Sequence, residues 1–375
     1  MEQKQLKGFS KFIALLVISA LVISLIIFTA NGNSFNLESS VENGEQPNVE
    51  STIGNNNSTL TDGNTDNLDA PEENEDAEED KVVFKNVLTG LEITESEYNS
   101  SAYGIVIDPS EAIYGLSYAD IAIEFPTEMG TSRMLFFSAS DEVIWKIGAL
   151  APTRKFITSM SSYFGGIIVA NGEDDKVSYN VGNEGSLLDI SKHNDCSYNE
   201  SGKLYYTNEK LIEVALNRTQ YIASSNGYTT PPFIISEEKI DSGINHGNTV
   251  AIQYSNGNCT QLIYDSSTDK YLYTKNSAQK SDMLNGEAIA FSNAFILFAD
   301  TTTYESATSS ELVIDTESGG SGYYFHNGKM TELRWKSSNG KLLFTNLMGE
   351  VLEVNKGTSY VTFYKASEYS NIAIN

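Results

Sequence analysis

Residues 12–30, FIALLVISALVISLIIFTA, form a run of 19 residues without a charge. It decides how much of the chain is left to fold as a water-soluble body. At about 1.5 Å per residue a helix of that length spans about 28 Å, close to the hydrocarbon thickness of a bilayer. Lys4, Lys7 and Lys11 precede the run and acidic sequence follows it. The positive-inside rule then puts residues 1–11 in the cytoplasm and everything after residue 30 outside. A cleaved signal peptide is the competing reading, but its apolar core usually runs about 7–15 residues. Ala30-Asn31-Gly32 is also a mediocre cleavage site. No cysteine lies near the end of the run, so a bacterial lipid-attachment site is absent. The expectation is a single-pass cell-membrane anchor at 12–30, with the membrane as its partner and the folded part extracytoplasmic.

Residues 31–80 carry 14 acidic residues and no basic one. So few apolar groups cannot offset the entropy of ordering the segment, and like charges extend it. It reads as a disordered acidic linker, a solvated tether. A calcium site would need spaced ligands around a turn glycine, and no such loop occurs. Of the formal net charge of −26, the remaining residues 81–375 hold −14. An acidic body repels nucleic-acid backbones and anionic lipid, so no nucleic-acid partner is expected. Two cysteines, Cys196 and Cys259, allow one bridge or two free thiols. With three histidines and no CxxC, no metal site and no cofactor is expected.

Structure should begin near Lys81. YADIAIEFP alternates, with Ile121, Ile123 and Phe125 on one face and Asp120, Ala122 and Glu124 on the other. SRMLFFSAS is a second strand, and PTEMGT joins the two as a hairpin. ALAPTRKFITSMSSYFGG reads as a helix of about ten residues. GIIVAN reads as a buried strand. TNEKLIEVALNRTQY is the clearest helix, capped by Thr207 or Asn208. Beyond residue 230 short β-runs follow one another, separated by turns such as HNGK, SNGK and NLMGE. GGSG (319–322) reads as a glycine turn, because no Lys-Ser/Thr and helix follow it as in a phosphate loop. The fold class is therefore α+β. An N-terminal α+β lobe with a mixed sheet at 81–228 precedes a mostly antiparallel β lobe at 229–375, joined near NGYTTPPF (226–233).

Glu124, Glu128, Arg133 and Arg154 are the candidate binding residues. Glu124 and Glu128 would also serve as the carboxylate pair of a glycoside hydrolase, though no catalytic residue is assigned. The alternative is a Glu–Arg pair that fixes a hairpin end. Arg154, near a helix start, would clamp a carboxylate or phosphate, or pair with Glu124 as a structural bridge. Trp145, Trp335 and 21 tyrosines would stack on sugars, or pack core and hairpin pairs.

Several ordered motifs resemble the YerB-like family of bacterial envelope lipoproteins, defined by two adjacent domains of unknown function. The resemblance runs from about Asn86 to Lys365. The family's PLTG opening is VLTGL (87–91) here. Its GLSQADIVYE…EGGITR stretch is GLSYADIAIEFPTEMGTSR (115–133), and IGPVRSAR is IGALAPTR (147–154). The later G.G.Y…G…W pattern is GGSGYYFHNGKMTELRW (319–335), and the G.TW strand is NKGTSYVTFY (355–364). The resemblance implies a lipid-anchored envelope protein. The anchoring cysteine is missing here, and residues 12–30 take its place. The first arginine of VRSAR is Ala151, the histidine of HAGGS is Ala170, and PHNLY reads GKLYY (202–206). Losing that many polar groups argues against a catalytic role inherited intact. The expectation is a membrane-anchored extracytoplasmic binding module for an envelope component or a protein partner. The alternative is a cell-wall glycan or peptide hydrolase using Glu124 and Glu128.

Overall fold

The computed structural model describes residues 82–98, 103–138, 144–164, 167–173, 187–192, 197–206, 232–244, 246–305, 310–338 and 341–375. The expected anchor, the linker, the helix near 207–221 and Cys196 lie outside the described residues. Among the described residues no helix is long and apolar enough to cross a membrane.

The described chain is mostly β, with a few short helices. Before residue 190 come β1 (Tyr103–Ile107), β2 (Ile121–Pro126), β3 (Ser132–Ser138), β4 (Ile167–Ala170) and β5 (Leu187–Asp189). Then come β6 (Thr249–Ser255), β7 (Asn258–Asp265) and β8 (Lys270–Lys275). They are followed by β9 (Asn293–Ala299), β10 (Gly320–His326), β11 (Lys329–Ser338), β12 (Lys341–Thr345), β13 (Ser359–Lys365) and β14 (Ile372–Ile374).

A ten-stranded sheet runs in the order β12-β11-β10-β9-β13-β2-β3-β1-β4-β5. It is mixed: β13 lies parallel to both of its neighbours, β9 and β2. β4 lies parallel to β1 and β5. A second, antiparallel sheet orders β8-β7-β6-β14, with the two-residue pieces Ala278–Gln279 and Ala290–Phe291 along β8. The large sheet takes five strands from before residue 190 and five from after residue 292. Residues 77–375 form one contact unit.

The IAIEF and SRMLFFS runs pair as the expected hairpin, from Ile121 opposite Phe137 to Pro126 opposite Ser132. The alternation in β2 is present, but both of its faces are buried. Ile121, Ile123 and Phe125 pack with Phe156, Met160, Phe363 and Trp335. Ala122 lies on the other face with Val250, Ile252, Tyr254 and Tyr273 of the second sheet. A strand central to a sheet and covered on both sides has no solvent face, so the polar member of the alternation, Glu124, is carried into the interior.

Two sequence expectations change. The ten-residue helix is two single turns, Lys155–Thr158 and Ser161–Phe164. Between them the Thr158 and Ser159 hydroxyls donate to the carbonyls of Arg154 and Phe156, at 3.1 and 2.8 Å. Such local bonds compete with helix continuation. GGSG is not a turn but the start of β10. A Cβ at Gly320 would lie 2.1 Å from the Phe298 carbonyl oxygen, and one at Gly322 would lie 2.4 Å from that of Ile296. The glycines therefore admit a close approach of β9. The HNGK turn behaves as expected: Asn327 and Gly328 both have positive φ, as a two-residue hairpin loop demands.

Candidate functional site

Glu124 is fully buried, and four other strands send side chains to it. Lys275 Nζ donates to its Oε1 at 2.6 Å and Ser132 Oγ donates at 2.5 Å. Tyr360 donates to Oε2 at 2.7 Å, Thr260 at 3.0 Å and Tyr273 at 3.3 Å. Lys275, itself buried, also donates to Ser132 and Thr260, and sits 4.7 Å from the centre of the Tyr254 ring. Burial alone would push the Glu124 carboxyl up. The Lys275 charge and the bonds from Lys275, Ser132 and Tyr360 outweigh it and hold the group below the usual carboxylate range. Burial, and then the negative charge of Glu124, push the Tyr254, Tyr273 and Tyr360 hydroxyls well above theirs. This is a closed ion pair inside a hydroxyl cage, joining the two sheets.

Glu128, Arg133 and Arg154 belong to the other face of the large sheet. Arg154 Nη2 donates to Glu128 Oε1 at 2.8 Å, and Nη1 lies 3.4 Å from Glu311 Oε1. Arg154 and Glu311 are buried, while Glu128 keeps 17% of its side chain exposed. Arg133 lies opposite Phe125 in the hairpin register, so it shares the face of Phe125. The structure thus joins Glu128 to Arg154 and separates both from Glu124. Neither the Glu124–Arg154 bridge nor a Glu124–Arg133 pair is formed; Lys275 is the partner of Glu124.

The IGALAPTR stretch wedges between β1 and the end of β4. The Ala151 N–H donates to the Val106 carbonyl at 2.9 Å, and the Asn171 N–H donates to the Ala151 carbonyl at 3.1 Å. Ala151 and Ala170 are both buried and share one apolar cluster. Ala151 and Ala170, where the resemblance expects an arginine and a histidine, thus lie close together and present only methyl groups.

Sequence reasoning missed Lys275, Ser132, Thr260 and Asp282. Lys275 had a readable signal: it shares the parity of the buried Tyr271 and Tyr273 in KYLYTK, and Thr260 lies directly opposite it. Asp282 had none. Its buried carboxylate accepts N–H bonds from Gly115 at 2.9 Å, Ser117 at 2.9 Å and Leu284 at 3.0 Å, and from the Ser117 hydroxyl at 2.7 Å. This acceptor, more than 160 residues away, is the physical reason for the GLS turn at 115–117. Trp335 is core, its Nε1 donating to the Phe298 carbonyl at 3.1 Å, whereas Trp145 is exposed. Cys259 is a free thiol. Among the described residues no group of three or more His, Cys, Asp or Glu is placed to hold a metal ion.

Two family models match the chain. Both carry the description "Protein of unknown function (DUF3048)", the N-terminal domain at residues 88–231 and the C-terminal domain at 250–361. The chain belongs to the YerB-like family. "Putative lipoprotein YerB" of Bacillus subtilis (strain 168) is 26% identical over 282 residues, covering 69% of this chain and 80% of the relative. The crystal structure of the YerB protein from Bacillus subtilis superposes with a TM-score of 0.65 at 20% identity. It covers 78% of this chain and 99% of that one, which establishes a shared fold. The chain thus shares its fold with this YerB protein, and both of its domains carry the description of unknown function.

Proposed function

We propose that this is a non-enzymatic, membrane-tethered extracytoplasmic binding module for an envelope component or a protein partner. In this reading residues 12–30 anchor it, 31–80 hold it off the bilayer, and the segment 207–221 adds helix to an α+β first half. The observation that supports it best is the state of the family-marking acids. Glu124 is sealed between two sheets with every oxygen engaged. Glu128 is held by Arg154, beside alanines where the family pattern carries an arginine and a histidine. A hydrolytic carboxylate pair needs both groups at a substrate-sized opening, and Glu124 does not reach one. Glu128, Arg133 and Arg154 remain the proposed contact residues at the end of the β2–β3 hairpin, with Glu124 as an internal brace.

Full-length chain in detergent micelles, passed over peptidoglycan sacculi and over immobilised membrane-protein extract, tests the reading. Retention on one of them, weakened at least tenfold by Glu128→Gln or Arg154→Lys, is expected. No retention on either would refute it. Release of glycan reducing ends or peptide amines that Glu124→Gln abolishes, with the fold intact by circular dichroism, would establish the hydrolase instead.

A further inference from the structure

A cleft of about 350 Å³ opens on the C-terminal half, bordered by the charged and amide residues Glu237, Glu238, Lys239, Asp269, Asn355 and Lys356. Its volume lies at the low end of small-ligand sites, which span about 300–1,000 Å³. None of the nine residues around it is aromatic, and none is a branched aliphatic except Thr268. A sugar ring would find no stacking platform there.

The wall of the cleft is fixed in advance. Asn355 is nine-tenths buried and grips Ile240 twice, accepting its N–H at 2.6 Å and donating to its carbonyl at 3.0 Å. Asn327 donates to the same carbonyl at 3.1 Å, and Lys329 donates to the Asp241 carbonyl at 2.6 Å. The segment that carries Glu237, Glu238 and Lys239 is therefore held before any ligand arrives, which lowers the cost of binding.

Charges of both signs meet at the rim. Lys356 and Lys85 reach Glu237 at 2.6 and 2.7 Å, and Lys239 reaches Asp269 at 3.0 Å. Glu238 has no ion-pair partner among the described residues. Exposed ion pairs of this kind are cheap to open, so a ligand's own charges exchange into them at little loss. A ligand that uses the whole rim must offer a carboxylate to Lys356 and Lys239 and an ammonium to Glu238 and Asp269.

We infer that this cleft binds short zwitterionic peptides carrying both a free amino group and free carboxylates. The inference rests on the proposed function only in taking the chain to be a binding protein; its residues are distinct from Glu128, Arg133 and Arg154. Peptide free in solution and peptide attached to the cell wall share this chemistry, and the test separates the two sources.

Calorimetric titration of the full-length chain in micelles would use the tripeptide Ala-Glu-Lys, its N-acetylated and C-amidated form, and chitotetraose. Saturable binding of the free tripeptide is expected, at least tenfold weaker for the capped form and undetectable for chitotetraose. Lys356→Ala and Glu238→Gln, both at exposed or half-buried rim positions, should each weaken the free peptide at least fivefold. Sacculi retained only while their stem peptides are intact would assign the wall-attached source; equal retention of stripped sacculi leaves the free peptide as ligand. Equal binding of capped and free peptide, or unchanged binding in both variants, overturns the inference. No saturable binding of the free tripeptide, with retention on sacculi or extract still weakened by Arg154→Lys, overturns it while sparing the proposed function.

Discussion

Glu124 and Glu237 both meet lysine at hydrogen-bonding distance, at 2.6 Å from Lys275 and at 2.6 and 2.7 Å from Lys356 and Lys85. The first pair is sealed between two sheets; the second stands in water. At Glu124 burial works against the charged form, and the Lys275 ammonium with the Ser132 and Tyr360 hydroxyls must overcome it. At Glu237 almost nothing opposes the charge, and two lysines bring its pKa down to about 2. The same contact therefore has two meanings. A buried pair cannot lose one member, because the survivor is left charged in a poor solvent. An exposed pair can, because water replaces the partner.

The largest expected effect breaks the buried pair. Lys275→Met should cost about 3–5 kcal/mol in urea unfolding, the usual penalty for stranding one buried charge. Adding Glu124→Leu to that variant should recover at least about half of the loss, since no charge is then stranded. If the double variant is no better than the single one, the hydroxyl cage, not the charge, governs this site. The pair also fixes an acid limb. A carboxylate held low in the fold stabilises above its unfolded value of about 4.3, and that contribution disappears as pH falls through the lower folded value. Urea midpoints measured from about pH 6 down to about pH 2 should fall steeply for the native chain and less steeply for the double variant.

Asp282→Ala should come next, at about 2–3 kcal/mol, because it orphans N–H groups at the GLS turn. Amide hydrogen exchange at Gly115 and Ser117 should accelerate with it. Trp335→Phe should cost about 1 kcal/mol through the lost bond to the Phe298 carbonyl. Glu237→Gln should leave the urea midpoint unchanged; a clear drop would show that the cleft is structural in the way the inter-sheet pair is.

What was legible in the sequence follows the range of the interaction. The β2–β3 hairpin was readable because its register lies within eighteen residues, in the alternation of IAIEF and the turn at PTEMGT. The HNGK turn was readable for the same reason. The identity of the partner of Glu124 was not: Lys275, Thr260 and Tyr360 come from strands 136 to 236 positions away. Glu124 lies on the face opposite Ile123, which says polar side but not that a second sheet covers that side. Gly320 and Gly322 looked like a turn because glycine marks both turns and close backbone approach, and only the position of Phe298 and Ile296 distinguishes the two.

The place of β13 beside β2 also constrains how the chain is made. Thr362 pairs with Glu124 across 238 positions. At about 5–20 residues per second of synthesis, that separation is roughly 12–50 s. Through that interval the hairpin bearing Glu124 has emerged from the ribosome with one strand edge open, its carboxylate not yet met by Lys275, and an apolar face uncovered. An open apolar edge invites pairing with other chains. The strand order therefore makes the docking of β13 on β2 a late step, and the Glu124–Lys275 pair can close only after residue 275 has been made.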